Sequence, residues 1–150
     1  MTFLEPKLDV ILPLLSKLEQ NTKPNWGEMS AQRMVEHLTD AISLARGEIK
    51  LPLEFPADKT EKVQGFLKSE HPLPVNFEAG FAPKTAPIRN PDLNAAIEEF
   101  EQAWKKYESF FAENPEKTTL HPNFGELNFN LWQTLNGKHL THHCKQFGLI

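Results

Sequence analysis

Apolar side chains recur at every third or fourth position over four long stretches of the chain, which is the period of one helix face. These stretches predict four amphipathic helices, at residues 6–19, 31–46, 91–113 and 128–148. The third shows the period most fully, with apolar residues at Leu93, Ala96, Ile97, Phe100, Trp104, Tyr107 and Phe111. No stretch convincingly predicts a sheet. The pattern therefore predicts an all-α protein built as a four-helix bundle.

Residues with strong capping preferences mark where these helices begin and end. Ser30 is suited to cap the second helix, and Gly47 to end it in a left-handed conformation. Asn90 is predicted to cap the third helix, with Pro91 in its first turn. Pro13 lies inside the first predicted helix, where it removes a backbone hydrogen bond.

A proline-rich segment, residues 48–89, connects the second and third predicted helices. A connection of this length is uncommon within a compact domain and tends to be functional. We expect a short helix near residues 58–68 and a crossover long enough to make the second and third helices parallel. The chain shows no repeat and no second core, so residues 1–150 are predicted to form a single domain.

Charge and cysteine content narrow the class of function. The formal net charge is −4, so the chain lacks the overall basic character of a nucleic-acid-binding protein. Cys144 is the one cysteine, which excludes an intramolecular disulfide. No stretch resembles a signal peptide or approaches the roughly 18 uninterrupted apolar residues of a membrane span. We therefore expect a soluble cytoplasmic protein.

The last predicted helix carries the candidate chemistry. His139 and His143 are four residues apart and project from one helix face, a spacing by which helices bind metals. At about 100° per residue, both fall within about 20° of Trp132, whereas His142 falls about 80° away. Unsatisfied buried imidazoles cost about 1–3 kcal/mol each, and a shared metal ion would satisfy both. Hydrogen bonds to Tyr107 or a solvated helix end are the alternatives.

A third ligand has to come from elsewhere, because a catalytic divalent metal usually takes three protein ligands and keeps one position open. His37 on the second helix is the candidate, and His121, before the last helix, is the alternative. Asp40 could accept a hydrogen bond from an imidazole, although an exposed carboxylate is the simpler interpretation. Glu36 and Asp40 lie near His37 in sequence, but both could face outward, so no general base is assigned.

Other residues near the histidines have simpler interpretations. Lys138 and Lys145 could attract an anionic cosubstrate, although lysine near a helix C-terminus is favourable in itself. Cys144 points away from the apolar stripe, which argues against a nucleophile, and His71 is interpreted as a loop residue. The three tryptophans, Trp26, Trp104 and Trp132, are interpreted as core residues.

Residues 26–38 (WGEMSAQRMVEHL) are similar to the opening of the second helix of the DinB/YfiT-like superfamily. Residues 121–127 (HPNFGEL), followed by Trp132 and residues 138–148 (KHLTHHCKQFG), are similar to its closing helix, in particular to a subgroup described as a domain of unknown function. The two segments occur in the order that the superfamily requires.

The resemblance implies an up-down-down-up four-helix bundle with a metal site of three histidines, His37, His139 and His143. Imidazole ligands suit zinc or nickel. Described activities of the superfamily include thiol-dependent S-transfer and isomerisation. The resemblance therefore implies a small-molecule substrate with a low-molecular-weight thiol as cosubstrate, with hydrolysis as the other chemistry open to such a centre. It also implies a homodimer.

The competing hypothesis is a non-catalytic helical bundle that serves as a binding or interaction module. In that case the histidines form a metal-free polar patch. A metal with an open coordination position would favour the enzyme, and a closed cluster without metal would favour the module.

Overall fold

The computed structural model describes residues 2–75 and 87–150, and this part of the chain is mostly helical. Residues 76–86 of the predicted crossover lie outside the described residues. The helices and strands are, in chain order, α1 (Leu8–Leu15), α2 (Ala31–Ala45), a 3-10 helix (Ala57–Lys59), α3 (Thr60–Lys68), α4 (Leu93–Glu113), β1 (Thr119–His121), β2 (Gly125–Leu127) and α5 (Phe129–Gln146). The predicted short helix in the crossover is confirmed as α3.

Side-chain caps start three of these helices. The Ser30 hydroxyl accepts a hydrogen bond from the backbone N–H of Arg33 at the start of α2, as predicted. Asn128 caps α5 in the same way. The prediction that Asn90 caps α4 is wrong, because Asp92 accepts from the Ala95 N–H at 2.8 Å. Asn90 is instead bonded to a buried carboxylate on α2.

The first helix is shorter than predicted. α1 spans Leu8–Leu15 rather than residues 6–19, and Pro13 lies within its last turn. Pro13 lacks the backbone N–H that would bond the Asp9 carbonyl within this helix, and the chain leaves the helix after Leu15. Ile11 and Leu15 are the residues that α1 buries in the core. Gly47, by contrast, adopts the predicted left-handed conformation after α2, with φ +77°.

A small β-hairpin precedes α5, so the expectation of a purely α-helical protein is wrong in this detail. β1 and β2 pair antiparallel, with Thr119 opposite Leu127. Strands of three residues are too short to show an alternating pattern in the sequence. The Thr119 hydroxyl donates to the Ala45 carbonyl at 2.6 Å and accepts from the Trp132 indole at 2.7 Å, which ties the hairpin to α2 and α5.

Helix α2 lies at the centre of the packing. Twelve of its fifteen residues are buried, and α4, α5 and β1 all contact it, with α4 making the most extensive contact. The facing side of α4 carries the large aromatic residues of the core, Phe100, Trp104, Tyr107 and Phe111. Because α2 is covered on nearly every side, its polar side chains have to find partners inside the protein.

Glu36 is the clearest case of a buried polar residue on α2. Its carboxylate is fully buried and accepts hydrogen bonds from the backbone N–H groups of Arg89 and Asn90, at 2.9 and 3.0 Å. The side-chain amides of Asn90 and Gln32 donate two more. Burial would raise the pKa of Glu36, but these hydrogen bonds together hold it below its ordinary value. Glu36 therefore faces inward and anchors the end of the crossover.

Lys138 anchors the other side of the crossover. Its side chain is 1% exposed, and its ammonium group donates to the backbone carbonyls of Ser69, at 2.8 Å, and of His71, just after α3. The same ammonium lies 4.6 Å from the ring centres of Phe3 and Phe66. Burial lowers the pKa of Lys138. Two donors of the Lys138 ammonium group are thus used within the fold, which argues against the alternative in which Lys138 attracts an anionic cosubstrate.

No helix in the described ranges combines the length and the apolar character that crossing a membrane requires.

We predict that Glu36→Gln lowers the free energy of unfolding by about 2 kcal/mol, because one buried backbone N–H then meets an amide donor instead of an acceptor. Urea unfolding measures the loss. Glu99→Gln is the matched control, since Glu99 bonds the same two residues, Arg89 and Asn90, from a partly exposed position. It should cost less than about 1 kcal/mol, and equal losses in the two variants would contradict the anchoring role of Glu36.

Candidate metal centre

Three histidines converge where α2 and α5 meet. His37 comes from α2, and His139 and His143 come from successive turns of α5. The Nε2 atom of His139 lies 2.8 Å from Nε2 of His37 and 3.1 Å from Nε2 of His143. Among the described residues, these three form a group whose candidate ligand atoms all lie within 4.8 Å of one another. The structure thus brings together the three residues selected from the sequence.

The imidazoles are held in their neutral form. His143 is buried, whereas His37 and His139 are partly buried. Burial, together with the charges of neighbouring histidines, lowers the pKa of all three well below the ordinary value of 6.5. Coordinating imidazoles have to be neutral, and these three meet that condition at neutral pH.

Gln146 fixes the orientation of His143. The Gln146 side-chain N–H donates to the backbone carbonyl of Trp26 at 3.1 Å, and a carbonyl can only accept. The Gln146 oxygen therefore faces Nδ1 of His143, at 2.7 Å, and that nitrogen has to donate. A neutral imidazole carries one proton, so Nε2 of His143 is left with a free lone pair directed at the cluster.

The protons available within the cluster do not satisfy its nitrogens. Since Nε2 of His143 has a lone pair, Nε2 of His139 has to donate if the two are hydrogen-bonded. His139 then has no lone pair left at Nε2 to accept from His37, which lies 2.8 Å away. Nε2 of His139 can therefore form one good hydrogen bond at most, although two ring nitrogens lie close to it. A cation among the three would replace this poor arrangement with three lone-pair bonds.

The spacing of the nitrogens fits a transition-metal ion. With zinc–nitrogen bonds of about 2.0–2.1 Å, two imidazole nitrogens in a tetrahedral site lie about 3.3 Å apart. The two short separations here, 2.8 and 3.1 Å, are slightly below that value, and the ligand atoms of His37 and His143 lie within 4.8 Å of each other. Small outward shifts of the rings would open the space. Three ligands also leave one tetrahedral position for a water molecule or a substrate.

His121 does not join the cluster. Its Nδ1 atom accepts from the backbone N–H groups of Asn123 and Phe124, at 3.0 and 3.4 Å, and so closes the turn of the hairpin. Its ring packs against Phe124 and Trp132. Burial lowers the pKa of His121 to about 4. The alternative in which His121 supplies the third ligand therefore disagrees with the structure.

His142 lies beside the cluster rather than in it, as the helical angle predicted. Its ring makes edge contacts with Trp26, at 5.6 Å between ring centres, and with His143, at 4.8 Å. Trp26 is only partly buried, so its interpretation as a core residue is wrong, whereas Trp104 and Trp132 are core residues. Trp26 and His142 instead flank the three histidines.

The polar groups considered as alternative partners are bonded elsewhere. The Tyr107 hydroxyl donates to Gln133 at 2.6 Å and accepts from Asn136 at 3.1 Å, so it is not the partner of the imidazoles. Asp40 forms ion pairs with Arg89 and Arg33, at 3.0 and 3.7 Å. The simpler interpretation of Asp40 as a partly exposed carboxylate is the one that fits.

Cys144 is unsuited to act as a nucleophile. The thiol is buried, and burial raises its pKa to about 11, so it stays protonated at neutral pH. The thiol lies in the hydrophobic core, although the helical angle placed Cys144 away from the apolar stripe of α5.

Sequence reasoning missed Gln146, although a usable signal was present. Gln146 follows His143 by three residues on α5, a spacing at which helical side chains meet. Its bond to Trp26, 120 residues away, could not be inferred from the sequence.

Comparisons with protein-family models, with curated proteins and with solved structures found no match to this chain.

We predict that Gln146→Leu weakens binding of a divalent metal by about 10–100-fold, because His143 loses the partner that fixes its tautomer. Competition with a chromophoric chelator measures the affinity. Gln133→Leu is the matched control, since Gln133 lies on the same helix but bonds Tyr107. If the two variants bind metal equally well, Gln146 has no orienting role.

Proposed function

We propose that this protein is a metal-dependent enzyme of the DinB/YfiT-like superfamily that binds a divalent ion, zinc or nickel, through His37, His139 and His143. The observation that carries the proposal is the convergence of three neutral Nε2 atoms with too few protons to satisfy one another. This favours a metal site over the alternative, a non-catalytic module with a metal-free polar patch. Such a patch needs a hydrogen-bond partner for each nitrogen.

The packing of the helices supports the proposed bundle. α2 packs against α4 and α5, and α1 packs against the same two helices. An up-down-down-up bundle requires four helices that pack in this way, and α1, α2, α4 and α5 would be those helices. The short helix α3 belongs to the crossover between α2 and α4. The homodimer implied by the family resemblance belongs to the same proposal, as does the cytoplasmic location.

The chemistry we propose is transfer to or from a small-molecule thiol, with hydrolysis as the second reaction class. A bound zinc or nickel ion would lower the pKa of a thiol or water molecule at its open position. The chain itself would bind and orient the substrate, because His37 and His139 are partly exposed and Trp26 and His142 lie beside the cluster. The protonated, buried Cys144 supports a thiol supplied by a cosubstrate rather than by the protein.

The first test is metal content. Untagged protein purified without chelator should contain about one zinc or nickel ion per chain by elemental analysis, and His139→Ala/His143→Ala should contain almost none. The low pKa values of the ligands predict that the wild type keeps its metal when the pH is lowered from 7.5 to 6.5. His142→Ala is the control and should retain the metal. Equal metal content in wild type and the double variant would refute the site.

The second test is thiol chemistry. Metal-loaded protein, assayed with a panel of small thiols and electrophilic acceptors, should consume thiol faster than the uncatalysed background, and chelator-stripped protein should not. His37→Ala should abolish turnover and His142→Ala should matter far less, because only His37 joins the cluster. Circular dichroism checks that both variants remain folded. If no thiol reacts above background in the loaded protein, S-transfer is wrong and hydrolysis becomes the leading reaction.

A further inference from the structure

Arg33 is a buried cation on the face of α2 that carries His37. Arg33, His37 and Asp40 follow one another at spacings of four and three residues, which places them in one row along the helix. The Arg33 side chain is 7% exposed. Buried charges are normally paired and fully hydrogen-bonded, because leaving water is costly for an ion.

The guanidinium group of Arg33 extends along this row to the level of His37. Its terminal nitrogen lies 3.7 Å from the Asp40 carboxylate, although the two residues are about 10.5 Å apart along the helix axis. Helical side chains lean towards the N-terminus, so Asp40 leans back while Arg33 reaches forward. They can meet only beside the intervening turn, which is the turn of His37.

Within the described part of the chain, Arg33 lacks a close counter-ion in this position. Its contact with Asp40 is longer than a hydrogen bond, and Asp40 is held more tightly by Arg89, at 3.0 Å. The Nε atom of Arg33 is buried and has no hydrogen-bond partner among residues 2–75 and 87–150. The neighbouring Glu36 cannot serve, because its two oxygens already accept four hydrogen bonds. A donor and most of a positive charge are thus left without a partner at the turn of α2 that carries His37.

The proposed metal ligands leave a second charge uncompensated. Three neutral imidazoles contribute no negative charge, so a divalent ion held by them would keep its full charge of +2 in a partly buried site. An anionic ligand would compensate both this charge and that of Arg33. A carboxylate matches the planar fork of donors on a guanidinium group.

We infer that Arg33 is a ligand-binding residue that recognises the carboxylate group of a small molecule bound at the histidine centre. This inference rests on the proposed metal site and adds to it the substrate class, a small carboxylate-bearing molecule.

The test uses acetate as the probe and cobalt(II) as a coloured metal in the full-length protein. Titration with acetate should shift the visible spectrum of the cobalt-loaded wild type, and acetamide, the neutral analogue, should do so only at far higher concentration. Arg33→Met should bind acetate about tenfold more weakly or worse while its cobalt affinity stays unchanged. Arg46→Met is the matched control, because Arg46 also has a buried Nε atom without a partner but lies beyond the other end of α2. It should bind acetate as the wild type does.

The outcomes separate the two proposals. If the wild type takes up cobalt but acetate binds equally to wild type and Arg33→Met, the role of Arg33 is wrong and the metal site stands. If the wild type takes up no cobalt, both proposals fail. If Arg33→Met folds poorly or loses cobalt, Arg33→Lys is the deciding variant, because lysine keeps the positive charge but lacks the paired donors of a guanidinium group. Arg33→Lys should bind acetate several-fold more weakly than the wild type. Unchanged acetate affinity in this variant would overturn the inference.

Discussion

The burial of α2 is the constraint on which the rest of the structure depends. This helix is covered on nearly all sides, yet five of its twelve buried residues are polar or charged. Each of these needs an internal partner, since an unsatisfied buried polar group costs about 1–3 kcal/mol. Glu36 obtains its partners from the chain just before α4, and Gln32 donates to the carbonyl of Asn90 in the same segment. The polar side of α2 therefore determines where the crossover lies.

The two anchors of the crossover also define the surroundings of the histidine cluster. Glu36 precedes His37 on α2, and Lys138 precedes His139 on α5, and each holds one described part of the crossover. Adjacent residues on a helix point in directions about 100° apart. Glu36 and Lys138 can therefore bond to the crossover while the histidine that follows each of them faces the cluster. Tight bonds at Glu36 and Lys138 thus restrict the turns that present the imidazoles, which is the kind of rigid support that a precise metal site requires.

The sequence predicted the features that depend on local pattern. Helical period located α2, α4 and α5, and the helical angle separated His139 and His143 from His142. The sequence did not predict the features that depend on residues far away along the chain. Glu36, Lys138 and Gln146 are bonded to residues 54, 69 and 120 positions away, and their roles follow from the fold rather than from their neighbours in the chain. The family membership, the metal and the dimer remain predictions.

The histidine cluster links metal binding to the stability of the fold. In the unfolded chain these imidazoles titrate near pH 6.5, whereas in the folded protein their pKa values lie well below it. Below pH 6.5 the unfolded chain therefore binds more protons, and the metal-free fold loses stability as the pH falls. At neutral pH that proton competition is absent, but Nε2 of His139 still lies close to two other ring nitrogens and can form a good hydrogen bond with one of them at most. A ligand that binds only the folded state stabilises it, and a cation at this point would also satisfy the nitrogen that is left without a partner. The arrangement that weakens the metal-free protein is the one that prepares it to bind a metal.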